Sequence, residues 1–292
     1  MLSMYPVLFR LGSFTFQTYT VLIDLGLAFS LAWLYFRAPR PQAGRWLDAG
    51  LAAVFGALIG ARLLYTLVNG GYYFEHPEEI FMIWQGGLAW PGAALGGVLG
   101  AGLYCSRKRE PFAPIFDALA WPLVMLSLLS WGGCLAAGCA YGAEVTPGQA
   151  PSWLVMEAPD LYGVLALRWP TQLMGLLWSL AALGLMWLVA KMRWRAGGRG
   201  FYALALIALG ALAISFLRGD PDPGLGGGLR LDSAGSALAL LIAAGGWVWR
   251  IRKPALARAD PLPSPEPAPP EEAPEDAPEG EAKPADETHL PE

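Results

Sequence analysis

The sequence predicts an all-α integral membrane protein of seven transmembrane helices, with its N-terminus outside and its C-terminus in the cytoplasm. Three observations carry that prediction. First, of 292 residues 55% are hydrophobic and only 15% charged, too apolar for an ordinary soluble domain. Second, seven stretches approach the ~20 mostly apolar residues that a spanning helix needs. They are 16–36, 46–69, 88–105, 113–138, 170–191, 200–217 and 233–250. Third, the charges between them alternate in sign.

The first connection carries Arg37, Arg40 and Arg45. The second, Asn69 to Gly87, has no Lys or Arg but holds Glu75, Glu78 and Glu79. Arg107, Lys108 and Arg109 occupy the third, and Glu144, Glu157 and Asp160 outnumber Arg168 in the fourth. Lys191, Arg193, Arg195 and Arg199 fill the fifth. The sixth mixes Arg218, Asp220, Asp222, Arg230 and Asp232, and Arg250, Arg252 and Lys253 follow the last span. Basic connections stay cytoplasmic, which sets the orientation. The first span has no basic segment close before it and no small-residue cleavage site, so it reads as a retained anchor. A retinal protein is excluded, because the last span, Ser233–Trp249, lacks the lysine that a Schiff base requires.

The chain divides at residue 252. Residues 1–252 form the membrane domain. Residues 253–292 hold 11 prolines and 11 of the 24 acidic residues, with almost no large apolar side chain. Such a segment cannot bury enough surface to fold and reads as a disordered cytoplasmic tail. Without it the formal charge changes from −4 to +4, and neither value suits a nucleic-acid partner.

Charges inside a span cost about 2.5–3.5 kcal/mol each near the bilayer centre, so each calls for a reason. Arg62 has two readings: snorkelling to the outer interface, or a guanidinium turned inward to bind phosphate. Gly60 and Ala61 beside it permit close helix approach. Asp24 and Asp117 read as packing or cap partners. The helix opened by Pro91 is dense in glycine, from Gly86 and Gly87 through Gly92 to Gly102. Its free N–H groups would suit an anionic head group.

Of the three cysteines, Cys134 and Cys139 lie near the outer face, where disulfides form. They could pair if the helix breaks between them. They could equally be small packing residues, the role expected also of Cys105. A thiol oxidase would show a second cysteine pair, and a zinc site more ligands than His76 and His289 provide. No metal or cofactor is expected.

The order of these motifs resembles the bacterial prolipoprotein diacylglyceryl transferases, over about residues 15–252. Tyr19 falls at that family's W-Y-G, and "GARLLY" (Gly60–Tyr65) is similar to its G-x-R-x-x-Y. "IWQGGLAWPGAALGG" (Ile83–Gly97) is similar to W-x-G-G-L-x-F-H-G-G-x-x-G-G. "SWGGCLAAGCAYG" (Ser130–Gly142) resembles the signature G-R-x-G-(C/N)-F-x-N-G-x-x-(Y/W)-G, with Gly133, Gly138, Tyr141 and Gly142 in its frame. "RWPTQLM" (Arg168–Met174) and "SFLRGDP" (Ser215–Pro221) resemble R-H-P-(S/T)-Q-L-Y and E-x-x-R-x-P-D.

The resemblance implies a multi-pass enzyme of the bacterial inner membrane. Such an enzyme moves diacylglycerol from phosphatidylglycerol to the lipobox cysteine of a preprolipoprotein. It implies phospholipid and signal-peptide partners, with Tyr19, Arg62, Arg168, Gln172 and Arg218 as lipid- or phosphate-binding candidates. The departures fall on chemical positions. Pro91 and Trp169 stand at family histidines, Trp131 and Ala211 at arginines, and Ser215 and Gly175 at glutamates. Three functions therefore stand: a transferase using the retained arginines, a pseudoenzyme that binds lipid or a partner, and a small-solute transporter. No internal repeat favours the last.

Overall fold

The computed structural model describes residues 5–12, 14–160, 162–221, 224 and 229–252. The proposed tail, 253–292, lies outside the described residues. Within them are seven helices of 18 residues or more: α1 (Thr18–Arg37), α2 (Ala43–Val68), α4 (Trp90–Lys108), α5 (Phe112–Ala137), α6 (Thr171–Leu188), α7 (Gly198–Ser215) and α8 (Leu231–Arg252). A six-residue helix, α3 (Gly70–Glu75), lies between α2 and α4. The expected spans agree with the long helices to within a few residues.

Six of the seven are long and apolar enough to cross a membrane. The exception is α4, which is expected from the sequence as a span. Its five glycines and terminal Arg107 and Lys108 dilute its apolar character. Two antiparallel hairpins stand outside the helix-only expectation: β1 (Val7–Leu11) with β2 (Phe14–Gln17), and β3 (Met156–Pro159) with β4 (Leu165–Arg168). One precedes α1 and the other joins α5 to α6, and their four or five residues are too short for a clear alternating pattern.

Glycine sets the closest packing. A Cβ on Gly60 would fall 2.4 Å from the carbonyl oxygen of Gly92, and one on Gly96 would fall 2.1 Å from that of Gly56. Backbone of α2 thus lies directly on backbone of α4, as small residues allow in a membrane, where dispersion replaces the hydrophobic effect. Elsewhere α5 is central, packing against α1, α6 and α7. Trp33 of α1 donates its indole N–H to Ala118 O of α5 at 2.9 Å. Asp117, near the start of α5, accepts from Gly197 N at 2.6 Å and Gly200 N at 3.0 Å. Its carboxylate caps the first turn of α7, satisfying N–H groups that a helix leaves open and complementing its dipole.

Candidate functional site at the end of helix α5

The site begins where α5 stops. Gly138 takes φ 78°, a conformation that glycine adopts freely, and its N–H returns to Cys134 O at 2.8 Å. The turn brings Cys139 back beside the last helical turn, and Cys134 and Cys139 form a disulfide. Ala140 follows at φ 53°, which is uncommon without glycine.

The chain then runs out as residues 141–145, held on both sides by backbone. Ala143 donates to Leu217 O at 2.8 Å, and Gly219 donates to Tyr141 O at 2.9 Å. On the other side Trp169 donates to Ala143 O at 3.2 Å and Val145 to Leu167 O at 2.8 Å. Gly142 lies at the crossing. A Cβ there would meet Trp169 O at 2.1 Å. Thr171 and Gln172, at the start of α6, donate to Ala140 O at 2.6 Å and Cys139 O at 3.0 Å.

This crossing gathers two of the arginines that the resemblance singles out. Arg168, 3% exposed, reaches Gly142 O at 3.5 Å and lies over the Tyr141 ring at 5.1 Å. It pairs with Glu144 at 2.9 Å and Asp160 at 3.3 Å. Arg218, whose backbone bridges to Gly142, holds Asp220 through two nitrogens and Asp232 through a third. Arg230 joins the same Asp220 at 3.2 Å. Each guanidinium at this end therefore faces carboxylate. Backbone N–H groups of Val164 and Tyr162, with Arg168 beside them, hold the Asp160 carboxyl below its ordinary value.

Arg62 is placed differently. It is 6% exposed, and its donors go to backbone carbonyls: Ile80 at 2.8 Å, Gly86 at 2.6 Å, Gly87 at 3.2 Å, and Glu79. The Tyr73 ring lies 5.3 Å from its carbon. Arg62 gathers the loop 77–87, where Gly86 and Gly87 take positive φ and a Cβ on Gly87 would strike the guanidinium at 2.5 Å. Tyr19 packs elsewhere, on Gly133, whose Cβ would fall 2.9 Å from the Tyr19 ring. Asp24 is exposed on α1, and His76 stacks on Tyr72 at 4.6 Å, Tyr72 in turn meeting the Tyr73 ring that lies beside Arg62.

The positions that depart from the family pattern are filled by packing. The Trp131 ring occupies the space that a Cβ on Gly175 would need, at 2.0 Å. Pro91 does the same to Gly235 of α8, at 2.2 Å. Gly92 packs on Gly60, as α2 and α4 require. Ser215, 1% exposed, accepts from Ser233 at 2.9 Å and donates to Leu212 O at 2.7 Å. Ala211 lies one turn before Ser215 on α7. Asp220, Asp232, Glu144 and Ser233 become site partners only in the folded chain. Only Arg218 and Asp220 are close enough in sequence to have suggested a pair.

A family model for prolipoprotein diacylglyceryl transferase matches residues 6–249. The phosphatidylglycerol–prolipoprotein diacylglyceryl transferase of Trichormus variabilis is 30% identical over 258 residues, covering 84% of this chain and 89% of the relative. The proteins of the same name in Nostoc sp. and Geobacter sulfurreducens are 30% and 31% identical, over 84% and 76% of this chain and 88% and 84% of theirs. With the match extending from the first hairpin through α8, this chain belongs to the prolipoprotein diacylglyceryl transferase family.

Proposed function

We propose that this chain is a seven-span inner-membrane member of the family that binds phospholipid at the outer end of its bundle and has lost the transfer step. In this reading α4 is the seventh span, the N-terminus is outside and residues 253–292 are a cytoplasmic tail. The alternating loop charges support that orientation. So does the Cys134–Cys139 disulfide, since such bonds persist on the oxidising side of the membrane.

The observation that carries the reading is the filling of the Trp131 position. Transfer to a thiol needs a base to generate thiolate and cations to stabilise the departing glycerol phosphate. The indole on Gly175 supplies neither, and Pro91 on Gly235 replaces a second titratable position with a packed ring. Arg168 and Arg218 already face Glu144, Asp160, Asp220 and Asp232, so a phosphate there competes with carboxylates. Apolar side chains exposed on the helices, Leu25, Phe29 and Leu177 among them, suit acyl chains.

The test is transfer from labelled phosphatidylglycerol to a lipobox peptide, by purified protein and in cells depleted of their own transferase. No transfer is expected, while the protein still retains labelled phosphatidylglycerol in vesicles. Turnover would overturn the reading in favour of the transferase activity borne by the relatives' name. The second reading is favoured by the match across residues 6–249 and by the retained Arg168 and Arg218. Under it, Arg168→Ala and Arg218→Ala abolish the turnover.

A further inference from the structure

The Cys134–Cys139 disulfide joins residues on either side of the Gly138 cap that ends α5. It clips the last turn of α5 to the first residue beyond the Gly138 cap, a separation of five residues. So short a loop constrains the unfolded chain little, and the bond acts mainly on local geometry. That geometry is the frame of the site. Gln172 donates to the carbonyl of Cys139, and Thr171 to that of the next residue, Ala140. Ala140 is held at positive φ without being glycine, and Tyr141 and Gly142 then meet Arg168 and Arg218. Both cysteines are half-buried, whereas Cys105 is free and buried at 2% exposure.

We propose that this disulfide is a thiol-exchange site, opened by an outer-face dithiol, and that opening it loosens the 138–142 turn beside the arginine cluster. A thiolate of the dithiol attacks one Sγ, the Sγ–Sγ bond breaks, and the other cysteine leaves as thiolate. The reagent's second thiol then displaces the first cysteine. The dithiol ends as a disulfide, oxidised by two electrons, and both cysteines end as thiols after taking up a proton each. Left-handed Ala140 then lacks its covalent clip, and residues 139–142 are free to take up other backbone conformations. The inference does not depend on whether transfer chemistry survives.

The experiment uses the full chain in phosphatidylglycerol-containing nanodiscs, with dithiothreitol as the probe. Iodoacetamide labelling read peptide by peptide should leave Cys134 and Cys139 unlabelled as isolated and label both after reduction, with Cys105 protected until the protein is denatured. Amide exchange over residues 138–145 and 169–172 should rise at least several-fold on reduction and fall again on reoxidation, while α1 and α2 stay unchanged. A Cys134→Ser/Cys139→Ser chain should show the fast exchange with or without dithiothreitol. Labelling of both cysteines as isolated, resistance of the native protein to dithiothreitol, or equal exchange in both states would each overturn the proposal. The reduction–reoxidation comparison on the unsubstituted chain stands even where the double variant does not fold.

Discussion

The indole of Trp131 on α5 lies against the α-carbon of Gly175 on α6, where an added methyl would fall 2.0 Å from the ring. A large side chain at one position and none at the other form a single packed unit. Gly175→Ala should therefore destabilise the protein by about 1–3 kcal/mol, the usual cost of overpacking. Trp131→Ala in the same chain should recover much of that loss. Denaturant unfolding of the two single variants and the double variant measures the coupling, and additive losses would place the ring elsewhere.

The α2–α4 contact makes a sharper demand, because what meets an added side chain there is backbone. Gly60→Ala and Gly96→Ala should each cost more than about 2 kcal/mol or prevent a monodisperse preparation. Gly102, on the same helix, has nothing within 4 Å of its Cβ position. Gly102→Ala should be neutral or stabilising by roughly 0.5–1 kcal/mol, since alanine is the better helix former. Thermal unfolding in detergent separates the two outcomes.

Arg62 holds the loop 77–87 through four carbonyls, so its loss should free that loop before it unfolds the bundle. Arg62→Ala should raise cleavage after Glu78 and Glu79 by a Glu-specific protease by roughly ten-fold or more, in keeping with local opening. Arg62→Lys, with no planar fork, should recover only part of the protection. Unchanged cleavage in both variants would show that the loop holds itself.

Asp117 bridges α5 to the N-terminus of α7 through Gly197 and Gly200. Asp117→Ala should cost about 0.5–2 kcal/mol, the range for a lost helix cap. Asp117→Asn, which keeps an acceptor but no charge, should cost less. Equal losses in unfolding experiments would mean that the charge contributes nothing.

The Asp160 carboxyl titrates below its unfolded value, chiefly because Val164 N–H donates to it. A lowered folded pKa contributes stability that is present above the unfolded value near 4 and is lost as pH falls through the folded value. Acidification through the unfolded value and on through the lower folded one should therefore loosen the β3–β4 hairpin. Asp160→Asn should weaken that pH dependence. Amide exchange at Tyr162 and Val164 reads the effect directly.

The helices were legible because a span must be long, apolar and uninterrupted, and those properties are local. The glycines of α4 were legible too, as a demand for close approach, although the partner was not. Arg62 was not legible: snorkelling and phosphate binding use the same side chain, and its actual acceptors are backbone oxygens 17 to 25 residues away with no side-chain signature. The hairpins were missed because four or five residues carry too little pattern. The pairing of Cys134 with Cys139 depended on whether α5 ended between them, which the Gly138 cap decides.

By itself the sequence determined that the chain is a bundle of apolar helices, and its ordered motifs pointed to the family. Both follow from composition and spacing, which need no knowledge of contacts. Only the tertiary structure decided what stands where the family's chemical residues would be. Trp131 is closed against Gly175, Pro91 against Gly235, and Arg168 and Arg218 are turned onto carboxylates around Gly142. The physical reason is that an arginine, a proline or a tryptophan has no role until its neighbours are known. Those neighbours lie on helices tens of residues apart, and only folding brings them together.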